Sequence, residues 1–349
     1  MSWKRNAIET ACGLLSRLAP RAPHVPANPS SIFVLRNNDI GDLLVVTPLF
    51  AALRRRFPEA RIIAGVGDWN RDVLRDNPNI DEILSIDAPW HNGQVKPQGL
   101  LAALRYIATS SDASALARSG CDIGIDVLGS PQGSLLLLRA GIPWRLGVCG
   151  YAGGHSAAQQ CIWFDEREHV GRAALRFAEL LGATELPENR PQIFLRETPS
   201  PQDAIVVAPG GGFPEKCWPL AHFATLLDRL APRRIVIVGG QRDSEAGALL
   251  ARARAHVQDR TGQMSLRETF EIIAGARGVI CNSSMAMHVA AAFRKPCAVL
   301  LGEHFPDAAQ HAAQWGYPET HVLGRGAGHP GIWTPEEVWP ILASLFPAP

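Results

Sequence analysis

The chain has 349 residues, 46% hydrophobic and 19% charged, with a formal net charge of +1. That is an ordinary soluble, globular composition, long enough for two cored domains, and a near-zero charge supplies no global field for nucleic acid. No apolar run reaches the ~18 residues that span a bilayer.

Residues 1–30 read as an extension and a linker. The opening stretch is broken by charges and is not a signal peptide. As a helix it places Ile8, Ala11, Leu15 and Leu18 on one face and Lys4, Arg5 and Arg17 elsewhere. Such a helix could lie on an anionic membrane surface or dock on the protein's own body. Pro20 to Pro29 is the linker. From residue 31 apolar strands alternate with amphipathic helices: SIFVLRN, then the helical LLVVTPLFAALRRRF, then RIIAGVG, EILSID, the helical LLAALRYIAT, CDIGIDVL and the helical GSLLLLRAG. Near-continuous apolar strands between helices imply a parallel sheet covered on both faces. Arg54, Arg55 and Arg56 close the first of these helices; they complement its dipole or face an anionic partner.

A helix over 168–181 leads into GATELPENRPQIFLRETPSPQD, the best linker candidate, and the alternation then restarts. Strand-like AIVVA, RRIVIV, GVIC and KPCAVLL are separated by helical PLAHFATLLDRLA, DSEAGALLARARA, SLRETFEIIAGA and MAMHVAAAF. Two α/β doubly wound domains follow, over 31–185 and 200–330. Residues 331–349 form a C-terminal helix that could pack back on the first domain.

Three strand-end loops can carry chemistry. In NNDIGD, Gly41 allows a tight turn and Asp42 opens a helix, as a cap or as a general base. In APGGGFPEKCWP, Gly210, Gly211 and Gly212 expose backbone amides ahead of Lys216, a pattern that suits a phosphate or diphosphate, though it is not a P-loop. In CNSSMAMH, Ser283 or Ser284 caps a helix whose amides can take a phosphate, and His288 lies one turn in. The seven cysteines have no C-x-x-C spacing, and His304, His311, His321 and His329 lack helical metal-ligand spacing, so neither a disulfide framework nor a metal site is expected.

Taken together these loops resemble glycosyltransferase family 9, the heptosyltransferases of lipopolysaccharide core assembly. The matching residues are Arg36, Gly41–Asp42, Thr47–Pro48 and Phe57–Pro58, the segment CDIGIDVLGSPQGSLLLLRAGIPWRLG, the lysine–tryptophan–proline loop at 216–219, and the stretch 261–302. The resemblance implies a GT-B fold of two Rossmann-like domains facing across a cleft, the first holding the acceptor and the second the nucleotide-sugar. It implies inverting transfer without metal or other cofactor, with Asp42 as base and Lys216 on the leaving diphosphate. It places Arg36, Asp39, Gly41 and Gly129 with the acceptor. It places Gly210, Gly211, Gly212, Lys216, Ser283, Ser284, Met285 and His288 with the donor, and either Asp243 or Glu245 on the ribose. One departure stands out. The family pattern has Asp, then Ser or Thr, then Gly where this chain has Ser283, Ser284 and Met285. ADP-heptose is the expected donor and a glycolipid or other glycan the acceptor. The chain is expected to be a cytoplasmic monomer, with peripheral contact at the inner membrane as an open alternative and no nucleic-acid partner. Two rivals stay open: a GT-B sugar-nucleotide epimerase or hydrolase, and a non-catalytic nucleotide-sugar binder.

Overall fold

The computed structural model describes residues 3–151, 153, 155–197, 199–329 and 331–347, and for residues 3–8 and 156 the backbone alone. The chain divides into two compact units after Asn189.

The first unit begins with helix α1 (Trp3–Leu18). It then runs β1 (Ser31–Leu35), α2 (Ile40–Val46), α3 (Pro48–Arg56), β2 (Arg61–Val66), β3 (Glu82–Ser85), α4 (Leu100–Thr109) and α5 (Ser111–Ser119). It continues with β4 (Ile123–Asp126), α6 (Pro131–Arg139), β5 (Trp144–Cys149), β6 (Gln160–Trp163) and α7 (Val170–Leu180). All six strands are parallel, in the order β3-β2-β1-β4-β5-β6. Ser31 to Leu35 are buried at every position, as a central strand covered on both faces requires.

The second unit runs β7 (Ala204–Ala208), α8 (Leu220–Leu230), β8 (Arg234–Ile237), α9 (Ser244–Ala251), β9 (Val257–Asp259), α10 (Leu266–Gly275) and β10 (Gly278–Asn282). It ends with α11 (Met285–Ala292), β11 (Cys297–Leu300), α12 (Ala308–Trp315), β12 (Thr320–Leu323) and α13 (Pro335–Leu345). Its sheet is also parallel, ordered β12-β11-β10-β7-β8-β9, the same winding as the first when counted from its own first strand. The two Rossmann-like doubly wound units implied by the family resemblance are therefore present.

Three local differences from the sequence reading have physical causes. The helix expected over 43–57 breaks at Thr47, because Pro48 has no N–H to give to Leu44. Thr47 instead sends both its amide and its hydroxyl to the Leu44 carbonyl, at 3.2 and 2.7 Å. Helix α1 buries Cys12 and Ser16 and leaves Leu14, Leu15 and Leu18 exposed, so the face that docks is not the expected one; Ile8, Lys4 and Arg5 have side chains outside the described residues. The anchor is Arg145, 1% exposed, which donates to the carbonyls of Pro20 and Ala157 and to Ser16 Oγ. Helix α13 places Val338 and Leu342, with Phe346 behind them, in the second unit's core beside Phe223, Leu226 and Leu230 of α8.

Candidate active site

Each sheet reverses its winding between its first and fourth strands, β1 and β4 in one unit, β7 and β10 in the other. Helices leave such a point toward opposite faces, and the carboxyl strand ends open a crevice there. The candidate loops all leave from those ends.

In the first unit, Arg36, Asn37 and Asn38 follow β1 through the interior, at 5, 4 and 6% exposure. Asn38 is pinned. Its Nδ2 donates to the His91 carbonyl at 2.9 Å, and its own carbonyl accepts from Trp69 Nε1 and Asn70 Nδ2 at 2.9 and 3.0 Å. Asp39 occupies the N-cap position of α2 in extended backbone without a side-chain capping bond. Gly41 lies inside the first helical turn, so the tight turn expected of it is made before it. Asp42 sits in that same turn. The buried Arg36 guanidinium donates through Nη2 to Asp42 Oδ1 at 3.0 Å and through Nε to its main-chain carbonyl at 3.2 Å. The carboxylate remains 30% exposed, and the side-chain bond from Arg36 goes to Oδ1.

The other switch strand, β4, ends at Asp126, which is 1% exposed. Its carboxylate accepts from the amides of Leu128 and Ser130 at 3.1 and 2.8 Å. Burial pushes this carboxyl up to about 6, against the pull of those amides and of Arg36. Gly129 has φ +70, and a Cβ there would meet the Val148 amide nitrogen at 2.7 Å. Glycine at 129 is thus demanded both by the turn and by the close pass of β5. Of the three arginines closing α3, Arg54 bonds the Pro58 and Ala60 carbonyls and Asp81, Arg56 bonds the Leu181 carbonyl, and Arg55 is exposed.

In the second unit, the loop after β7 packs its glycines tightly. A Cβ on Gly210 would come within 2.4 Å of Asp243 Oδ1 and one on Gly211 within 2.8 Å of Cys217 Sγ, while Gly212 faces open space. Asp243 is used by the fold: Oδ2 accepts from the Gly240 amide at 2.8 Å, whereas Glu245 is exposed at the start of α9. Lys216 ends a single 3-10 turn, its Nζ 5.0 Å from the Phe213 ring centre and 5.7 Å from that of Phe305. The loop is clamped by Asn282 at the end of β10, wholly buried. Its Oδ1 accepts from the Trp218 amide at 2.9 Å and its Nδ2 donates to the Pro209 carbonyl at 2.5 Å. The exit of β11 closes the other side, where the His304 amide donates to the Glu215 carbonyl at 2.9 Å.

Ser284 takes the N-cap position of α11 without a side-chain capping bond, and Met285 opens the helix. Ser283 does not cap either; its Oγ is 2.8 Å from His311 Nε2, on α12. His288 is 4% exposed, and its Nδ1 is hydrogen-bonded to Tyr317 Oη at 2.8 Å in the interior of the unit. Asn282 lies in the CNSSMAMH loop but its clamping role leaves no local sign, and Phe305 and His311 carry no motif that ties them to this loop cluster. The Lys216 ammonium, the glycine amides and the amide end of α11 together suit a phosphate-bearing ligand.

The model of glycosyltransferase family 9 (heptosyltransferase) matches residues 112–323. Lipopolysaccharide heptosyltransferase 2 of Salmonella typhimurium is 26% identical over 302 residues, covering 79% of this chain and 84% of the relative. A family 9 glycosyl transferase from Veillonella parvula superposes with a TM-score of 0.72 at 19% identity, covering 92% of this chain and 98% of the other. Escherichia coli ADP-heptose lipopolysaccharide heptosyltransferase II superposes with a TM-score of 0.70 at 22% identity, covering 90% and 98%.

Proposed function

Glycosyltransferase family 9 is the family to which this chain belongs, and from that premise we propose that it moves heptose from ADP-heptose to a lipopolysaccharide-core acceptor with inversion. The acceptor hydroxyl attacks the anomeric carbon as the bond from that carbon to the diphosphate oxygen breaks. The hydroxyl proton passes to Asp42 and the nucleoside diphosphate departs. A hydroxyl is a poor nucleophile, so the carboxylate must accept its proton as the new bond forms. Arg36 supports that role by orienting the group through Oδ1 and leaving Oδ2 for the proton. Lys216, the glycine amides and the start of α11 stabilise charge gathering on the leaving group, so the step calls for no metal ion. Gly210, Gly211, Gly212, Ser283, Ser284, Met285 and His288 surround the donor in this reading, with Glu245, the more exposed carboxylate, on the ribose. Arg36, Asp39, Gly41 and Gly129 lie with the acceptor in the same reading.

The observation that carries the reading is the clamped Lys216 loop beside the α11 amides, at a switch point. The donor identity is carried over from the names of the relatives. The test is incubation with ADP-heptose and a heptose-deficient lipopolysaccharide core, read by mass spectrometry. Release of ADP matched by gain of heptose on the core supports transfer. Free heptose points to a hydrolase, an isomerised nucleotide-sugar to an epimerase, and tight binding without turnover to a non-catalytic binder.

No helix among the described residues is long and apolar enough to cross a membrane. The exposed Leu14, Leu15 and Leu18 on α1, with Arg17 and Arg21 close in sequence, support a peripheral contact with an anionic lipid surface. Co-sedimentation with vesicles of phosphatidylglycerol, lost when the three leucines are changed to serine, tests it.

A further inference from the structure

His311 is 3% exposed, and its two ring nitrogens have unequal surroundings. Nε2 lies 2.8 Å from Ser283 Oγ, whereas Nδ1 is buried with no hydrogen-bond partner. The Phe305 ring stands edge-on to the imidazole at 4.7 Å between centres, and that same phenyl lies 5.7 Å from Lys216 Nζ. Burial, with the Lys216 charge adding to it, pulls His311 down to about 4, so the ring is neutral at physiological pH. A neutral imidazole carries one N–H and one lone pair. With the proton on Nδ1, a buried N–H has nothing to give to. With the proton on Nε2, only a lone pair goes unused, and orphaned buried donors are the rarer of the two in folded proteins.

We propose that His311 is a positioning residue: it carries its proton on Nε2, donates to Ser283 Oγ, and so turns the Ser283 O–H outward as a hydrogen-bond donor to an oxygen of the donor sugar. The proposal rests on the reading of the second unit as the nucleotide-sugar site and deepens it. An acceptor-only group at 283 selects a sugar hydroxyl that donates. A hydroxyl that already accepts from His311 keeps its own proton to give, and so favours a sugar group that accepts: a ring or hydroxyl oxygen, a carbonyl or a carboxylate. Ser283 is partly exposed and can reach a ligand, while His311 is sealed behind it. The histidine therefore never touches the sugar and acts only through the direction in which the serine proton points.

Two measurements test this, one of them without ligand. Long-range proton–nitrogen spectra of the full chain labelled on histidine, with His311→Gln for assignment, should show a neutral ring protonated on Nε2 at pH 7. A ring protonated on Nδ1, or charged at pH 7, overturns the proposal. Calorimetry with ADP and with ADP-heptose gives the second readout. Ser283→Ala and His311→Leu should each lower the affinity for ADP-heptose relative to ADP by about tenfold, the size of one net hydrogen bond. The double variant should lose no more than either single one. His311→Gln keeps an N–H near the place of Nε2 and should hold the ratio within about twofold, which a merely structural role would not require. Loss in Ser283→Ala with no loss in His311→Leu would overturn the coupling. Failure of the wild type to bind ADP would instead count against the nucleotide-sugar reading, leaving the tautomer result to decide the pair.

Discussion

In the proposed mechanism Asp42 takes the proton and Lys216 faces the diphosphate, so their variants should fail differently. Asp42→Asn keeps the size of the side chain and removes its capacity to take a proton. Transfer should fall by about 10²–10⁴-fold while ADP-heptose binding changes little. Retention of most of the rate would move the base elsewhere, with Asp39 next to test. Lys216→Ala removes a charge felt both by the bound and by the departing diphosphate. It should weaken donor binding and also slow single-turnover transfer, by roughly 10²-fold or more in kcat/KM; unchanged affinity and rate would remove this loop from the donor site. Ser283→Asp restores an acceptor at 283 and gives His311 a carboxylate to face. In competition assays it should shift preference toward ADP-heptose, about tenfold for each ~1.4 kcal/mol regained, with Met285→Gly alongside if methionine bulk blocks the approach. An unchanged ratio in the single and double variants would strip Ser283 of a specificity role.

Elements meet the ligand only through the loops that join them, and here buried polar groups set loop shape. Asn282 ties the end of β10 to the chain on both sides of the glycine–lysine loop. Asn282→Ala would strand the Trp218 amide and the Pro209 carbonyl in the interior, at about 1–3 kcal/mol. The melting temperature should drop by roughly 2–4 °C per kcal/mol, and ADP affinity should fall with it because the loop loses its anchor. Gly210→Ala addresses the same loop from the other side, since its Cβ would collide with Asp243. Nucleotide affinity equal to wild type in both variants would show that the clamp does not shape the site. At the helix scale, the break at Thr47–Pro48 makes α2 a separate short helix of seven residues, set between the Arg36 pairing and the bulk of α3.

Across the whole molecule, Asp126 in the first unit and His311 in the second are buried groups whose pH dependences run opposite to each other. His311 has its folded value pulled to about 4 from an ordinary 6.5. The unfolded chain therefore binds the extra proton first, and this contribution to the second unit is complete above 6.5 and is lost as pH falls toward 4. Asp126 has its folded value raised to about 6 from 3.8, so its contribution to the first unit is complete below 3.8 and is lost as pH rises through 6. Each is on the order of 3 kcal/mol. Hydrogen exchange between pH 4 and 6.5 should show β10 and β11 losing protection on acidification. His311→Gln should flatten that loss, and Asp126→Asn should remove the opposing trend in β1 and β4. Parallel acid dependence in both units, unchanged by either variant, would contradict the assignment. What the sequence determined by itself was the winding and the places where it could be used. Central parallel strands are apolar almost throughout, as IFVL and AIVVA are, and the loops leaving them need residues with a local signature: an aspartate opening a helix, glycines before a lysine, serines before a run of small residues. The short outer strands β6, β9 and β12 and the polar helices α5 and α12 left no such signature, because a strand at or near a sheet edge need not be continuously apolar. Only the tertiary structure decided which polar side chains work together. Trp218 and Asn282 stand 64 positions apart and Ser283 and His311 stand 28 apart. A buried hydrogen bond between distant residues leaves no period in the chain; it exists only where the fold brings a donor to an acceptor and seals both from water.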